Sequence, residues 1–333
     1  MRTLNNARAC LSWLNYLNTE QQATALFGTI IPELKTAAEL YSIPNYNISY
    51  GAEVRLLGDA GVDLSVQYYG TDFAYNNPLE NTPLKAAGSK FHNYARALNE
   101  NYPNLLSRCR FYLESDTASG SSEDYALFYS IAGSAADTLL PSLLVDNNTS
   151  EVKETVLELR ATVKPQLELW LVGFMNSREK KPLRLVFVNP QNSIDQFIMG
   201  IKKLYPELPS DFEDNLHAVA NLNLFNFMLN IDIMPDGSLG NTIGIDLLFE
   251  TLLPTNQQKL LSSSECKKFI SLLNEWEIAD SRVDLVPNCV QLLNIETQKE
   301  TYQLLSALSH FKLRWQDNNL LPTKAYIWLK FDK

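Results

Sequence analysis

The chain has 333 residues, 45% hydrophobic and 20% charged. That composition excludes a disordered or fibrous protein and is enough to bury a core without staples. Its formal net charge of -10 argues against a nucleic-acid binder or a protein docked on anionic lipid, both of which need a basic surface.

The N-terminal text MRTLNNARACLSWLNYLNTEQQ lacks the apolar core of a signal peptide. No run is long and apolar enough to span a membrane, so a cytoplasmic location is expected. Leu11, Leu14, Leu17, Leu26, Ile30, Ile31 and Leu34 recur at helical spacing. The period then changes. GAEVRLLGDAGVDLSVQYYG alternates about a Gly-Asp-Ala-Gly turn and predicts a hairpin, and a helix follows over Pro83–Leu98.

The change recurs along the chain. Strands are predicted at 108–114 and 125–132, then helix over Gly133–Thr162. Strands at 167–175 and 183–189 precede helices over Asn192–Leu204 and Asp211–Ala220. Strands at 226–234 and 242–250 precede helical text in 254–276 and 287–305, and LSHFKLRWQ, the turn DNNLLP and TKAYIWLKF close the chain. Strand pairs that return every ~60 residues after helices predict one α+β domain over 1–333, a ten-stranded antiparallel barrel of five helix-helix-hairpin repeats with helices outside. Closing the sheet removes its edges and accommodates its accumulated twist.

The strand faces sort by parity. Phe311, Leu313 and Trp315 with Ala325, Ile327, Leu329 and Phe331 form an apolar face. His310, Lys312, Arg314, Lys324, Tyr326 and Trp328 stand opposite. Phe227, Leu229, Ile231, Ile243, Ile245 and Leu247 oppose Asn226, Asn230, Asp232, Asp246 and Glu250. Val54, Leu64 and Val66 oppose Glu53, Arg55, Asp63 and Tyr69. Apolar faces take helices, so the polar faces line a lumen.

Cys10, Cys109, Cys266 and Cys289 form no C-x-x-C pair and no zinc spacing, and are expected as buried free thiols. There is no G-x-G-x-x-G, P-loop, G-x-S-x-G or Asp-rich D-D-x-x-D motif. His92 and His217 lie in helical text and are read as surface or packing residues, whereas His310 sits on a luminal face and is a candidate acid or base.

Ten strands in repeated αα-ββ units, the hairpin NIDIMPDGSLGNTIGIDLLF, the closing strand KAYIW with its K-x-Y and the acid Glu53 on the first strand together resemble the ABBA (PT-barrel) aromatic prenyltransferases. The resemblance implies transfer of a prenyl group from an allylic diphosphate to an aromatic or peptide acceptor, with no nucleic acid or membrane as partner and a monomer expected. It assigns Glu53 to activating the acceptor, and Arg55, Lys324 and Tyr326 to the diphosphate. Arg110, Arg184, Lys312 and Arg314 share inferred luminal faces and are further candidates, because Arg forks phosphate oxygens and Lys adds point charge. Tyr69, Tyr112, Tyr129, Trp170 and Trp328, with Tyr326, would form an aromatic wall around an allyl cation.

Asp232, Asp246 and Glu250 depart from this pattern by placing acids where cations are wanted. Either they lie away from the phosphates, or they hold a divalent cation such as Mg through oxygen ligands, or the barrel has no diphosphate site. The last option is a relative acting as a cyclase, isomerase or binding protein in a natural-product pathway. A purely structural role fits poorly, since so many luminal charges stabilise nothing by themselves.

Overall fold

The computed structural model describes Leu26 and residues 49–59, 62–115, 125–131, 135–296 and 301–332. The helices predicted before residue 49 lie outside this set, apart from Leu26, which is helical and buried.

Eleven strands form one antiparallel sheet. They are β1 (Ser49–Arg55), β2 (Val62–Tyr69), β3 (Arg110–Ser115), β4 (Tyr125–Ser130), β5 (Glu168–Phe174) and β6 (Leu183–Val188), then β7 (Phe225–Ile233), β8 (Leu239–Phe249), β9 (Gln291–Glu296), β10 (Thr301–Gln316) and β11 (Asn319–Asp332). Neighbours pair in chain order from β1 to β8. β8 then pairs with β10, β10 with β11, and β11 with β1, which closes a ten-stranded barrel. Helices occupy the connections, among them Lys85–Asn101, Ala135–Asp146, Phe212–Ala220 and Ser264–Glu275.

The outer strand faces carry the core. Phe91, from the helix Lys85–Asn101, stacks on Phe111 of β3 at 4.6 Å and meets Tyr129 of β4 edge-on at 5.3 Å. On the far side Phe269 packs on Phe311 at 5.0 Å and Phe212 on Trp315 at 4.6 Å. Leu313, Ala325, Ile327 and Leu329 are fully buried. With the outer faces sealed by helices, the polar inner faces are left to the lumen.

Three expectations change. The helix expected over 287–305 is replaced among the described residues: Ser281–Cys289 is a 3-10 helix, β9 follows, and β10 begins at Thr301. Short apolar runs such as QLLNIE suit either element, and pairing decides: the first part of β10 supplies a partner for β9. The final turn is two residues, Asp317 and Asn318, at φ 49° and 66°, so β10 and β11 run into what reads as a longer loop. Tyr129 is the third. YALFYS is apolar or buried on both faces, so alternation cannot set its inner side. Tyr129 pairs with Phe111 and sits under the helices, and Phe128, opposite Tyr112, takes the luminal place.

β10 has a break that bears on the lumen. It pairs with β9 up to Ser306 and with β8 from His310. In the gap, the buried Gln257 side chain donates to the Leu308 carbonyl (2.6 Å) and accepts from the Leu308 amide (2.7 Å). A side chain from the helix Pro254–Leu261 thus stands in for a missing strand partner. It holds the backbone beside the bulge that turns His310 opposite Tyr326.

Candidate active site

Among the described residues, two adjoining chambers lie in the lumen. One, of about 230 Å³, is cationic: Arg178, Arg184, Lys312, Arg314 and Lys324 outnumber Glu53 and Asp232. The other, of about 440 Å³, is walled by Tyr69, Tyr112, Phe128, Trp170, Tyr326 and Trp328. Arg184, Asn230 and Lys312 line both chambers and form the layer between them.

The charges in this layer are organised in pairs. Arg184 of β6 lies directly across from Asp232 of β7 and forks it, with contacts of 2.8 and 3.0 Å. Arg178, from the loop after β5, reaches the same carboxylate at 3.1 Å. Burial raises the Asp232 carboxyl, and the two guanidiniums with Lys312 overcome it and hold it below the usual range. Lys312 of β10 faces Asp246 of β8 at 3.1 Å and donates to Asn230 at 2.9 Å. Gly244 makes room for this: a Cβ there would lie 3.1 Å from the Lys312 stem.

At the seam, Glu53 of β1 accepts from Lys324 and Tyr326 of β11. Burial raises its carboxyl, but Lys324, with Tyr326 and Lys312, brings it down to about 2. Tyr326 in turn stacks on His310, with ring centroids 4.0 Å apart and planes 16° from parallel. Burial pushes His310 down to about 4, so it is a neutral imidazole near pH 7, its Nδ1 beside the Ser309 hydroxyl at 3.0 Å.

The structure gathers Glu53, Arg184, Lys312, Arg314 and Lys324 around the cationic chamber. It gathers His310, Tyr69, Tyr112, Trp170, Tyr326 and Trp328 around the aromatic one. Arg110 lines the aromatic chamber, with its guanidinium 4.2 Å above the Tyr69 ring. Arg55 lines neither chamber. The acids do not act together: Asp232 and Asp246 are each taken by cations, and Glu250 is exposed at the end of β8. Among the described residues no group of three metal-ligating side chains exists, so this trio does not fit a divalent cation. Cys109, Cys266 and Cys289 are buried free thiols, and Cys10 lies outside the described residues.

The lining residues that escaped the sequence reading include Arg178, Phe128 and Glu114. Arg178 sits in a polar loop, NSREKKP, that signals only a turn. Phe128 was hidden by the two-sided β4. Glu114 was legible, since it continues the alternation Arg110, Tyr112, Glu114 on β3.

No family model matches the chain, and no curated protein matches it. Solved structures do. AnaPT from Neosartorya fischeri superposes at a TM-score of 0.58 with 10% identity, covering 97% of this chain and 92% of that one. The 6-dimethylallyltryptophan synthase from Micromonospora olivasterospora, in complex with DMASPP and Trp, gives 0.56 and 9% over 99% and 97%. A further 6-dimethylallyl tryptophan synthase gives 0.53 and 10% over 98% and 95%. The chain has the ABBA, or PT-barrel, fold. Identity near 10% carries the fold of these structures and not their residues. The chambers of this PT barrel therefore have to be read from their own side chains.

Proposed function

We propose that this PT barrel transfers a prenyl group from an allylic diphosphate to an aromatic acceptor. One observation carries the reading: a cationic chamber adjoins an aromatic chamber across a shared layer containing Arg184 and Lys312. Transfer breaks the allylic C–O bond, and the electron pair leaves with the diphosphate. A new bond forms to the acceptor, which then loses a proton.

The cationic chamber suits the leaving group. Arg184, Arg314, Arg178 and Lys312 provide forked and point-charge donors, and a polyanion answers their excess of positive charge. The walls Tyr112, Trp170 and Trp328 suit an allyl cation, which ring faces attract. Glu53 is a poor base here, because Lys324 and Tyr326 occupy both of its oxygens. Its role in this reading is to hold Lys324.

One observation favours the relative without a donor site: Arg184, Lys312 and Lys324 each already have a buried acid. Thermal unfolding with inorganic diphosphate and with dimethylallyl diphosphate, with and without magnesium, separates the two readings. A ligand at a hundred times its dissociation constant stabilises by about 2.7 kcal/mol, an easily read shift. No shift with either compound overturns the transferase and leaves the barrel with another ligand.

A further inference from the structure

Within the aromatic chamber one carboxyl group has no counterpart. Glu114 projects from the C-terminal end of the β3 face that also carries Arg110 and Tyr112. Its cross-strand neighbours are Ser65 on β2 and Ala126 on β4. Ala126 offers only a methyl group, and the Ser65 hydroxyl turns away to the Gly51 carbonyl at 3.4 Å. Among the described residues, Glu114 has no hydrogen bond and no ion pair.

The cations of the same chamber are engaged elsewhere. Arg184 is forked by Asp232, and Lys312 lies between Asp246 and Asn230. Arg110 donates to the carbonyls of Ser107 (2.7 Å) and Cys109 (2.9 Å) and lies over the Tyr69 ring. Burial first, and then the charge of Glu53, raises the Glu114 carboxyl against the pull of Arg184, Lys324 and Lys312. Glu114 is half-buried, and a carboxylate drawn partly out of water without a partner is costly unless a ligand brings one. Tyr69, Tyr112, Phe128, Trp170 and Trp328 surround the same space. A carboxylate set among ring faces matches a protonated nitrogen, which donates a charge-assisted hydrogen bond to the acid and is attracted to the ring faces by cation–π interaction.

We infer that Glu114 makes the aromatic chamber a site for an acceptor that carries a protonated nitrogen, an arylalkylamine in its ammonium form. The inference rests on reading this chamber as the acceptor site. It gives the chamber a charge preference that the aromatic walls alone would not have.

The test uses three probes that share a ring and differ in charge: tryptamine, indole and indole-3-propionate. Isothermal titration against the full chain is expected to rank tryptamine about tenfold or more above indole, with indole-3-propionate weakest. Glu114→Gln should remove most of tryptamine's advantage and leave inorganic diphosphate binding no weaker, because Glu114 does not line the cationic chamber and is an acid near its cations. Glu114→Asp, which keeps the charge, should keep the ranking.

Equal binding of the three probes, no binding of any, a preference for indole-3-propionate, or an advantage that survives in Glu114→Gln would each overturn the inference. The ranking on the unmutated protein decides even if the Gln variant does not fold. Diphosphate binding without a preference for tryptamine sinks this inference alone. A preference for tryptamine without diphosphate binding supports Glu114 and sinks the transferase.

Discussion

Lys324 donates to the buried carboxylate of Glu53 across the β1–β11 seam, and Tyr326 takes its other oxygen. Lys324 belongs by position to the cationic chamber, yet its charge is already answered. The seam is held by an internal ion pair that a diphosphate would have to compete with.

Glu53→Gln releases Lys324 and removes a negative charge from the chamber. Inorganic diphosphate is expected to bind about tenfold tighter, the scale of one charge-assisted contact. Lys324→Ala does the opposite to the fold: it strands a buried carboxylate and should cost about 3–5 kcal/mol of stability. Titration calorimetry reads the first effect and urea denaturation the second. Weaker diphosphate binding by Glu53→Gln would mean that Glu53 itself helps to hold the donor.

Acidification should destabilise the barrel in two stages. His310 is held at about 4 against an ordinary 6.5, so the unfolded chain takes up a proton there that the native state refuses. Its contribution is present above pH 6.5 and lost as pH falls toward 4, with a slope of at most about 1.4 kcal/mol per pH unit. Glu53, held at about 2 against 4.5, adds a second loss below pH 4.5. Asp72, raised by burial to about 6, opposes part of this loss, so the test is a difference: relative to the unmutated chain, His310→Gln should lose less stability on acidification from pH 7 to about 4.5, with the two urea-midpoint curves running parallel below that.

Gly173 lies across the strand pair from Phe128, and an added Cβ would fall 2.3 Å from its ring. Gly173→Ala must displace the ring from its luminal position, at a cost of about 1–3 kcal/mol. Phe128→Leu in the same chain should recover part of that cost. Unfolding curves for the two single variants and the double give the coupling, and strict additivity would refute the contact.

Gln257→Leu should leave both backbone groups of Leu308 unpaired in the interior. The loss is about 2–4 kcal/mol, with faster hydrogen exchange at the Leu308 amide. An unchanged melting temperature would mean that β8 or β9 can extend across the gap.

Much of this site was legible because strand alternation is local. In β1, β10 and β11, charged and apolar residues alternate, so Glu53, Lys312, Arg314, Lys324 and Tyr326 could be assigned inward, and Phe311, Leu313 and Leu329 outward, from neighbours two residues away. Where both faces are apolar, as in β4, alternation carries no direction, and Tyr129 was misplaced by one residue. Arg178 was invisible for another reason: a loop residue has no parity, and only the path of the loop over the barrel end brings it to Asp232.

The α+β class, the antiparallel strands and the charged inner face are local properties, because they follow from periods of two and of three to four residues. Tertiary structure alone decided which charges meet. Glu53 and Lys324 are 271 residues apart, and Arg184 and Asp232 are 48 apart. No local pattern relates them. Closing the barrel sets the register that places each acid beside its cation, and in doing so it leaves Glu114 facing the aromatic chamber without one.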